Sequence, residues 1–417
     1  MSDAKLHKRF LLAMGATFLL LCLCAAGFNY LVDPYGLFGS RRVTGFNALK
    51  PAASERVRVT KPYMATRAKP RVVIGGNSRP EIGLNPQSPC WKDIDQPVFN
   101  TAIPGADVFM QVRYVQHAVE SGQARRILFG VDFLDFLVDS RKATKEADWD
   151  RLGRSYEGRL RPGSGTSGMP VSIQQAEDIL SGLFSMAALG DSIMTLAAQH
   201  DPHSATRRED GFNPAQDYLP IIRNEGQAVL FTQKNAEVGK RLRQDDLGVL
   251  DANGGQALPL LALRHLLQWA KSRDIEVVLF INPYHSDYLV QIETSGKWKA
   301  FEEWKRQLTA AADEYAVPLW DFNAFDRYST ETPPSPNDRQ GMLEWYWEPA
   351  HYRAELGDLM LEAMLGRSCG RDSNLPPFGV RITAVTLQRH LYALRSDMNR
   401  FVDENPGVLG RLSAPGS

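Results

Sequence analysis

The apolar positions along the chain follow three patterns in turn. Residues 10–32 form one uncharged run, opening with Phe10-Leu11-Leu12 and closing with Tyr30-Leu31-Val32. Such a run predicts a helix long enough to cross a hydrocarbon layer of about 30 Å. From residue 70 onward, short and fully apolar runs alternate with longer amphipathic stretches. The runs at 71–75, 97–100, 126–131, 275–281 and 317–321 predict strands. The stretches at about 107–120, 258–271, 297–315 and 354–365 repeat their apolar residues at helical spacing. Strands alternating with helices predict an α/β class: three layers, with a mostly parallel sheet covered on both faces.

Between residues 144 and 256 the alternation fails. The Gly/Ser-rich stretch 162–168 predicts a loop, and 172–199 predicts one or two helices. A break this long implies a helical insertion between two halves of one sheet. The expected division is therefore anchor 1–33, stalk 34–69, first half 70–143, insertion 144–256, second half 257–367 and a C-terminal extension 368–417. The extension carries a helix over 384–402, whose basic side is expected to be solvated, and a loose Gly/Pro/Ser tail.

The flanks of the first run give it a direction. Lys5, Lys8 and Arg9 precede it and Asp33 follows, which predicts a cytoplasmic N-terminus and an extracytoplasmic bulk, as in a single-pass protein of a bacterial inner membrane. A cleaved signal peptide is the alternative, but Cys24-Ala25-Ala26 is a poor cleavage site and the run exceeds an ordinary signal core. Asp33-Pro34-Tyr35-Gly36-Leu37-Phe38-Gly39 is rich in turn formers and aromatics and is expected to mark the interface.

Lys plus Arg and Asp plus Glu number 48 each, so no net field draws the chain to nucleic acid. Cys90 and Cys369 lie in the extracytoplasmic part, either as a disulfide or as two buried thiols. No Cys or His spacing matches a metal site, and no cofactor is expected.

Two short motifs carry chemistry. Gly75-Gly76-Asn77-Ser78-Arg79 closes the first predicted strand. There a Ser would project from a tight turn with its own N–H placed to stabilise an oxyanion; the alternative is an ordinary Gly/Asn/Ser turn. Glu348-Pro349-Ala350-His351 precedes the last predicted core helix. A carboxylate three residues before a His can orient the ring for proton transfer; the alternative is a surface His at a helix start.

Together, and in this order, the motifs resemble the SGNH/GDSL hydrolase superfamily over about residues 70–140 and 270–366. Gly76-Asn77-Ser78 stands for the family's Gly-Asp-Ser block, and Glu348-Pro349-Ala350-His351 for its Asp-x-x-His block. The resemblance implies Ser78 as nucleophile, His351 as base and Glu348 as orienting acid. It also implies an oxyanion hole from the Ser78 and Gly105 amides, with Asn77 as a further donor.

The chain departs from the family in two places. Glu stands for Asp in the last block. Gly130-Val131-Asp132 stands where an Asn-bearing block is expected, and an ionised Asp cannot donate. Asn100 and Asn282 are further candidates to complete the hole or to bind substrate. Arg79, Tyr284 and Trp347 are the other substrate-binding candidates, with His285 beside Tyr284 on the same strand end.

The pattern, with its N-terminal anchor, is similar to membrane-tethered proteins of bacterial envelope polysaccharide or teichoic acid acylation. That implies an esterase or O-acyltransferase, with a glycan and a membrane acyl-transfer protein as partners. The rival expectation is an inactive scaffold that keeps the fold, favoured by the two departures.

Overall fold

The computed structural model describes residues 3–145, 158–160, 173–201, 203–204, 207–370 and 375–412. The expected Gly/Ser loop at 162–168 and the last five residues of the tail lie outside them. Among the described residues there are ten strands. They are β1 (Val72–Gly75), β2 (Val98–Asn100), β3 (Arg126–Val131), β4 (Val138–Asp139), β5 (Leu247–Gly248), β6 (Glu276–Ile281), β7 (Leu319–Asp321), β8 (Tyr346–Glu348), β9 (His351–Tyr352) and β10 (Val380–Ile382).

Six strands form one sheet in the order β10-β7-β6-β3-β1-β2, parallel except for β10 at one edge. The runs chosen for it are rich in Val, Ile, Leu and Phe because both faces are covered. Val73, Phe99, Ile127, Phe129, Val277 and Leu279 pack under the helices Val108–Ser121, Leu258–Lys271 and Trp298–Tyr315. Val72, Ile74, Val98, Leu128, Val278 and Phe280 face the helix Ala354–Leu365. Alternate side chains thus feed two cores, giving the expected mixed α/β layering. The short antiparallel strand β10 was not foreseen, because Val380-Arg381-Ile382 is too brief and too polar to stand out.

The lateral order of the strands reverses at β1: β2 lies on one side of it, and β3, β6, β7 and β10 on the other. The loops at such a reversal splay apart and leave a crevice beyond the strand ends. Ser78 follows β1 and Asp132 follows β3, so both stand at this crevice.

The helix Asp3–Val32 is long and apolar enough to cross a membrane. Residues 34–69, expected as a stalk, are instead folded against the domain. Helices Pro51–Glu55 and Val57–Ala68 occupy part of this segment, and the second packs on Val108–Ser121. Buried Thr60, Lys61, Met64 and Ala65 explain why: this segment has an inward face. The insertion supplies four helices, Ile173–Phe184, Met186–Ala197, Tyr218–Glu225 and Gln227–Leu242, among the described residues.

Cys90 and Cys369, 279 positions apart in sequence, are joined as a disulfide with Cα atoms 4.5 Å apart, and so are not two separate buried thiols. Of the four cysteines in the chain, Cys22 and Cys24 remain as thiols. Denatured without reductant, the protein should therefore react with a thiol reagent at those two positions and no others. Cys369→Ser should lower the unfolding free energy by about 2–4 kcal/mol in a denaturant titration. Four reactive thiols before reduction would contradict the pairing.

Candidate active site

The turn after β1 is built so that a serine can leave it exposed. Gly76 has φ +136°, and a Cβ there would come within 2.7 Å of Pro80 Cγ and 2.8 Å of the Gly130 carbonyl, so glycine is required. Asn77 caps the short helix Ser78–Gly83, its Oδ1 accepting the Arg79 N–H at 3.0 Å. As the first residue of that helix, Ser78 has an N–H that no helical carbonyl satisfies. Ser78 is partly exposed while the five residues after it are buried.

His351 Nε2 lies 2.7 Å from Ser78 Oγ, and its Nδ1 is hydrogen-bonded to Glu348 Oε1. Glu348 Oε2 accepts the Ala350 N–H at 2.7 Å, fixing the carboxylate. With Nδ1–H donating to the Glu348 carboxylate, the Nε2 lone pair faces the serine, whose hydroxyl donates to it. Burial pushes the Glu348 carboxyl up. The adjacent His351 ring and its hydrogen bond, with Lys234 and the Ala350 amide, outweigh that and hold it below its ordinary value. Glutamate in place of aspartate therefore still reaches the ring.

The hairpin β8–β9 carries Glu348 and His351, and it is braced from two directions. Gln227, on an insertion helix, donates to the Tyr346 and Trp347 carbonyls at 2.8 and 2.9 Å and accepts the Leu343 N–H at 2.7 Å. The Pro349 carbonyl accepts the His285 N–H at 3.1 Å, tying the hairpin to the loop after β6.

Its approach to Ser78 depends on missing side chains. A Cβ on Gly83 would overlap the Tyr352 ring, and one on Gly357 would overlap the Gly83 carbonyl. The serine helix also holds Glu81, fully buried between Lys61 (2.9 Å) and Arg207 (2.6 and 3.1 Å). Burial lowers the Lys61 ammonium to about 8 against the pull of Glu81.

The other expected site residues divide by environment. Gly105, at φ +61°, is exposed and lines a cavity of about 340 Å³ with Asp107, Asp135, Arg241 and Leu258. Asn77 Nδ2 donates to Asp135 at 2.9 Å, and one of its two amide protons remains. Trp347 is buried beside Tyr218, with ring centroids 5.5 Å apart, and under the Arg353 guanidinium.

Arg79, Asn100, Asn282 and Tyr284 are all buried within the protein. Arg79 pairs with Asp132 at 2.5 Å and lies over the rings of Tyr284 and Tyr288. Tyr284 donates to Asp132 at 3.0 Å. Asn100 clamps the Pro80 and Leu84 carbonyls at 2.7 and 2.9 Å, and Asn282 holds the Val131 carbonyl at 3.1 Å. His285 is likewise engaged, with the Glu331 carbonyl at 2.7 Å and the Asp287 N–H at 3.1 Å. These side chains hold the floor of the site, with their polar groups engaged except for the buried Arg79 Nε, which has no hydrogen-bond partner among the described residues.

Asp135 was not singled out from the sequence. Its Oδ2 accepts from both Asn77 at 2.9 Å and Gln111 at 2.8 Å. Burial, then the nearby Asp132 charge, push its carboxyl up to about 7 despite the opposing Gln111, Arg79 and Asn77. The only hint was its place three residues after Asp132, in a stretch that otherwise reads as core.

Two outcomes follow. Gly357→Ala should force the serine helix and the His351 segment apart, lowering stability by roughly 1–3 kcal/mol and weakening any reactivity of Ser78, read by thermal unfolding and active-site labelling. For Asp135, a folded value above the unfolded one means the group stabilises fully below about pH 4. That contribution is lost as pH rises toward 7. Asp135→Asn keeps an acceptor for Asn77 and Gln111, so its advantage over the parent should grow by on the order of 1–2 kcal/mol from pH 5 to pH 8. Parallel pH–stability curves would remove Asp135 as the titrating group. No protein-family model matches the chain, and no curated protein is significantly similar to it.

Proposed function

We propose that the protein is an SGNH-like serine acyl-transfer enzyme, held at a membrane by its N-terminal helix and facing the extracytoplasmic side. The observation that carries the reading is the continuous hydrogen-bond chain Ser78–His351–Glu348, with the hydroxyl 2.7 Å from the ring and Ser78 a partly exposed residue. It stands beyond the carboxyl ends of a parallel sheet at a reversal of strand order, where such sites form.

In this mechanism Ser78 Oγ attacks an acyl carbonyl and its proton passes to His351 Nε2. Glu348 stabilises the imidazolium that forms. The tetrahedral oxyanion would take the Ser78 N–H and, as the family resemblance implies, the Gly105 N–H, with the remaining Asn77 amide proton as a third donor. Collapse returns the proton from His351 to the departing alcohol and leaves an acyl-serine. Water or a second hydroxyl then attacks with His351 again as base, giving hydrolysis or transfer.

An acyl, notably acetyl, ester of a cell-envelope polysaccharide is the substrate class that suits a tethered enzyme, with a membrane acyl-transfer protein as partner. The disulfide Cys90–Cys369 supports an oxidising compartment. The scaffold alternative drew on Asp132 and Glu348. Asp132 is committed to Arg79, and Glu348 makes the contact that the mechanism needs.

Purified full-length protein should hydrolyse a simple acetyl ester, and Ser78→Ala should lower that rate at least about 10³-fold with an unchanged melting temperature. A fluorophosphonate should modify the parent at Ser78 and leave the variant untouched. An unlabelled parent, or equal rates in both proteins, would rule the enzyme out in favour of a scaffold.

A further inference from the structure

The insertion helices Ile173–Phe184 and Met186–Ala197 present their polarity inside out. On the second helix the exposed positions are Met186, Ala187, Gly190, Ile193, Met194 and Ala197, which fall on one face and are all uncharged. Met186 is 79% exposed, Ile193 55% and Met194 63%. The opposite face buries Ala188, Ser192 and Thr195 against protein. A helix of a water-soluble surface shows the reverse arrangement. The first helix continues the pattern with exposed Ile179, Leu180 and Phe184 around a buried Gly182.

Of the charges on the pair, Asp178 and Asp191 are turned to protein partners, while Glu177, exposed one turn before Leu180, marks where the apolar stretch 179–184 begins. Asp178 is bound by Arg159 at 2.7 and 2.9 Å and by the Tyr63 hydroxyl at 2.9 Å. Asp191, the one charged residue within 179–197, takes the Tyr35 hydroxyl at 2.5 Å and faces Arg56 at 3.5 Å.

We infer that this helix pair is seated in the lipid bilayer, in the leaflet that receives the carboxyl-terminal half of the helix Asp3–Val32. The inference rests on that helix spanning a membrane and is independent of the serine chemistry. Both insertion helices pack on the spanning helix. Its sheltered residues are Cys22, Ala25, Ala26, Phe28, Asn29 and Val32, while everything from Ala4 to Leu21 is exposed. The stretch from Cys22 to Val32 rises about 15 Å, roughly half a hydrocarbon core. Asn29, fully buried at this junction, donates to the Leu183 carbonyl at 2.9 Å and accepts the Ser192 hydroxyl at 2.9 Å. Polar groups joining helices in this way are satisfied without water.

The pair is an elbow, bent by 59°. Ser185 caps the break by accepting the Ala188 N–H at 3.0 Å, so backbone groups freed there gain a partner. Each helix has 12 residues, about 18 Å, too short to span alone. Both arms return to the same side of the domain. Asp178 is tied to Tyr63 on one arm, and Gln199, just past the other, exchanges hydrogen bonds with the Leu49 backbone at 2.8 and 3.0 Å. The elbow therefore enters one leaflet and leaves it on the same face, with its apolar side against acyl chains.

The test uses the full-length chain with Cys22→Ala and Cys24→Ala, reconstituted alone in phosphatidylcholine/phosphatidylglycerol vesicles. Single cysteines placed at Ile193, Phe18 or Val385 carry an environment-sensitive fluorophore; Val385, 90% exposed on the C-terminal helix, is the aqueous control. Spin-labelled lipid should quench the Ile193 site at least about twofold more than the Val385 site, and iodide should do the opposite. If Phe18 is reached by lipid but Ile193 by iodide, the elbow faces water or awaits a protein partner, and the inference fails. If iodide reaches Phe18 as well, the spanning helix itself is misread.

Discussion

The site exists because two segments far apart in sequence come closer than ordinary side chains would permit. Gly83 lies under the Tyr352 ring and its carbonyl lies against Gly357, so the serine helix and the start of the helix Ala354–Leu365, which follows His351, touch backbone to backbone. A hydroxyl and an imidazole must approach within hydrogen-bond distance for proton transfer, and side-chain reach covers only the last few ångströms of that. The remainder is set by how near the main chains can come. The disulfide joins the same two arms further along, between Cys90 and Cys369, and restricts how far they can part in the unfolded chain.

Around that contact, buried charge does the positioning that loops would do loosely. Arg79 and Asp132 join the ends of β1 and β3, and Lys61, Glu81 and Arg207 join the serine helix to segments on either side. Desolvating such ions is costly, and the pairs offer little net stability over apolar packing. What they supply is directional: each ion has one partner geometry that satisfies it, so the turn bearing Ser78 has one arrangement rather than several.

Much of the fold was legible because a fully buried parallel strand and an amphipathic helix differ in period. The runs at 71–75, 126–131 and 275–281 meet the observed strands within a residue. The Ser78 and Glu348/His351 segments could be read for the same reason, since they adjoin strongly patterned elements. The environment of single residues could not. Arg79, Asn100, Asn282 and Tyr284 read as candidates to bind substrate or complete the oxyanion hole because they stand at strand ends, yet each finds a buried partner through contacts that no local pattern encodes. Asp135 was missed for the converse reason: between Leu134 and Phe136 it looks like an interruption of core. Residues 34–69 read as a stalk because Pro, Gly and Arg mask the inward face of the helix Val57–Ala68.

That last element changes what being tethered means for this protein. The helix Val57–Ala68 carries Lys61 directly to Glu81 on the serine helix, and Lys50 just before it donates to the Val32 carbonyl, where the apolar helix ends, at 2.8 Å. On the proposed reading, the link from lipid to Ser78 is thus a bracket rather than a leash. If that helix spans a membrane as proposed, the height of the hydroxyl above the bilayer would be set by these packed and hydrogen-bonded parts. In the proposed reaction an acceptor would have to be delivered to that height, and selection among polymers of like chemistry would then turn on where each is held rather than on what the crevice grips.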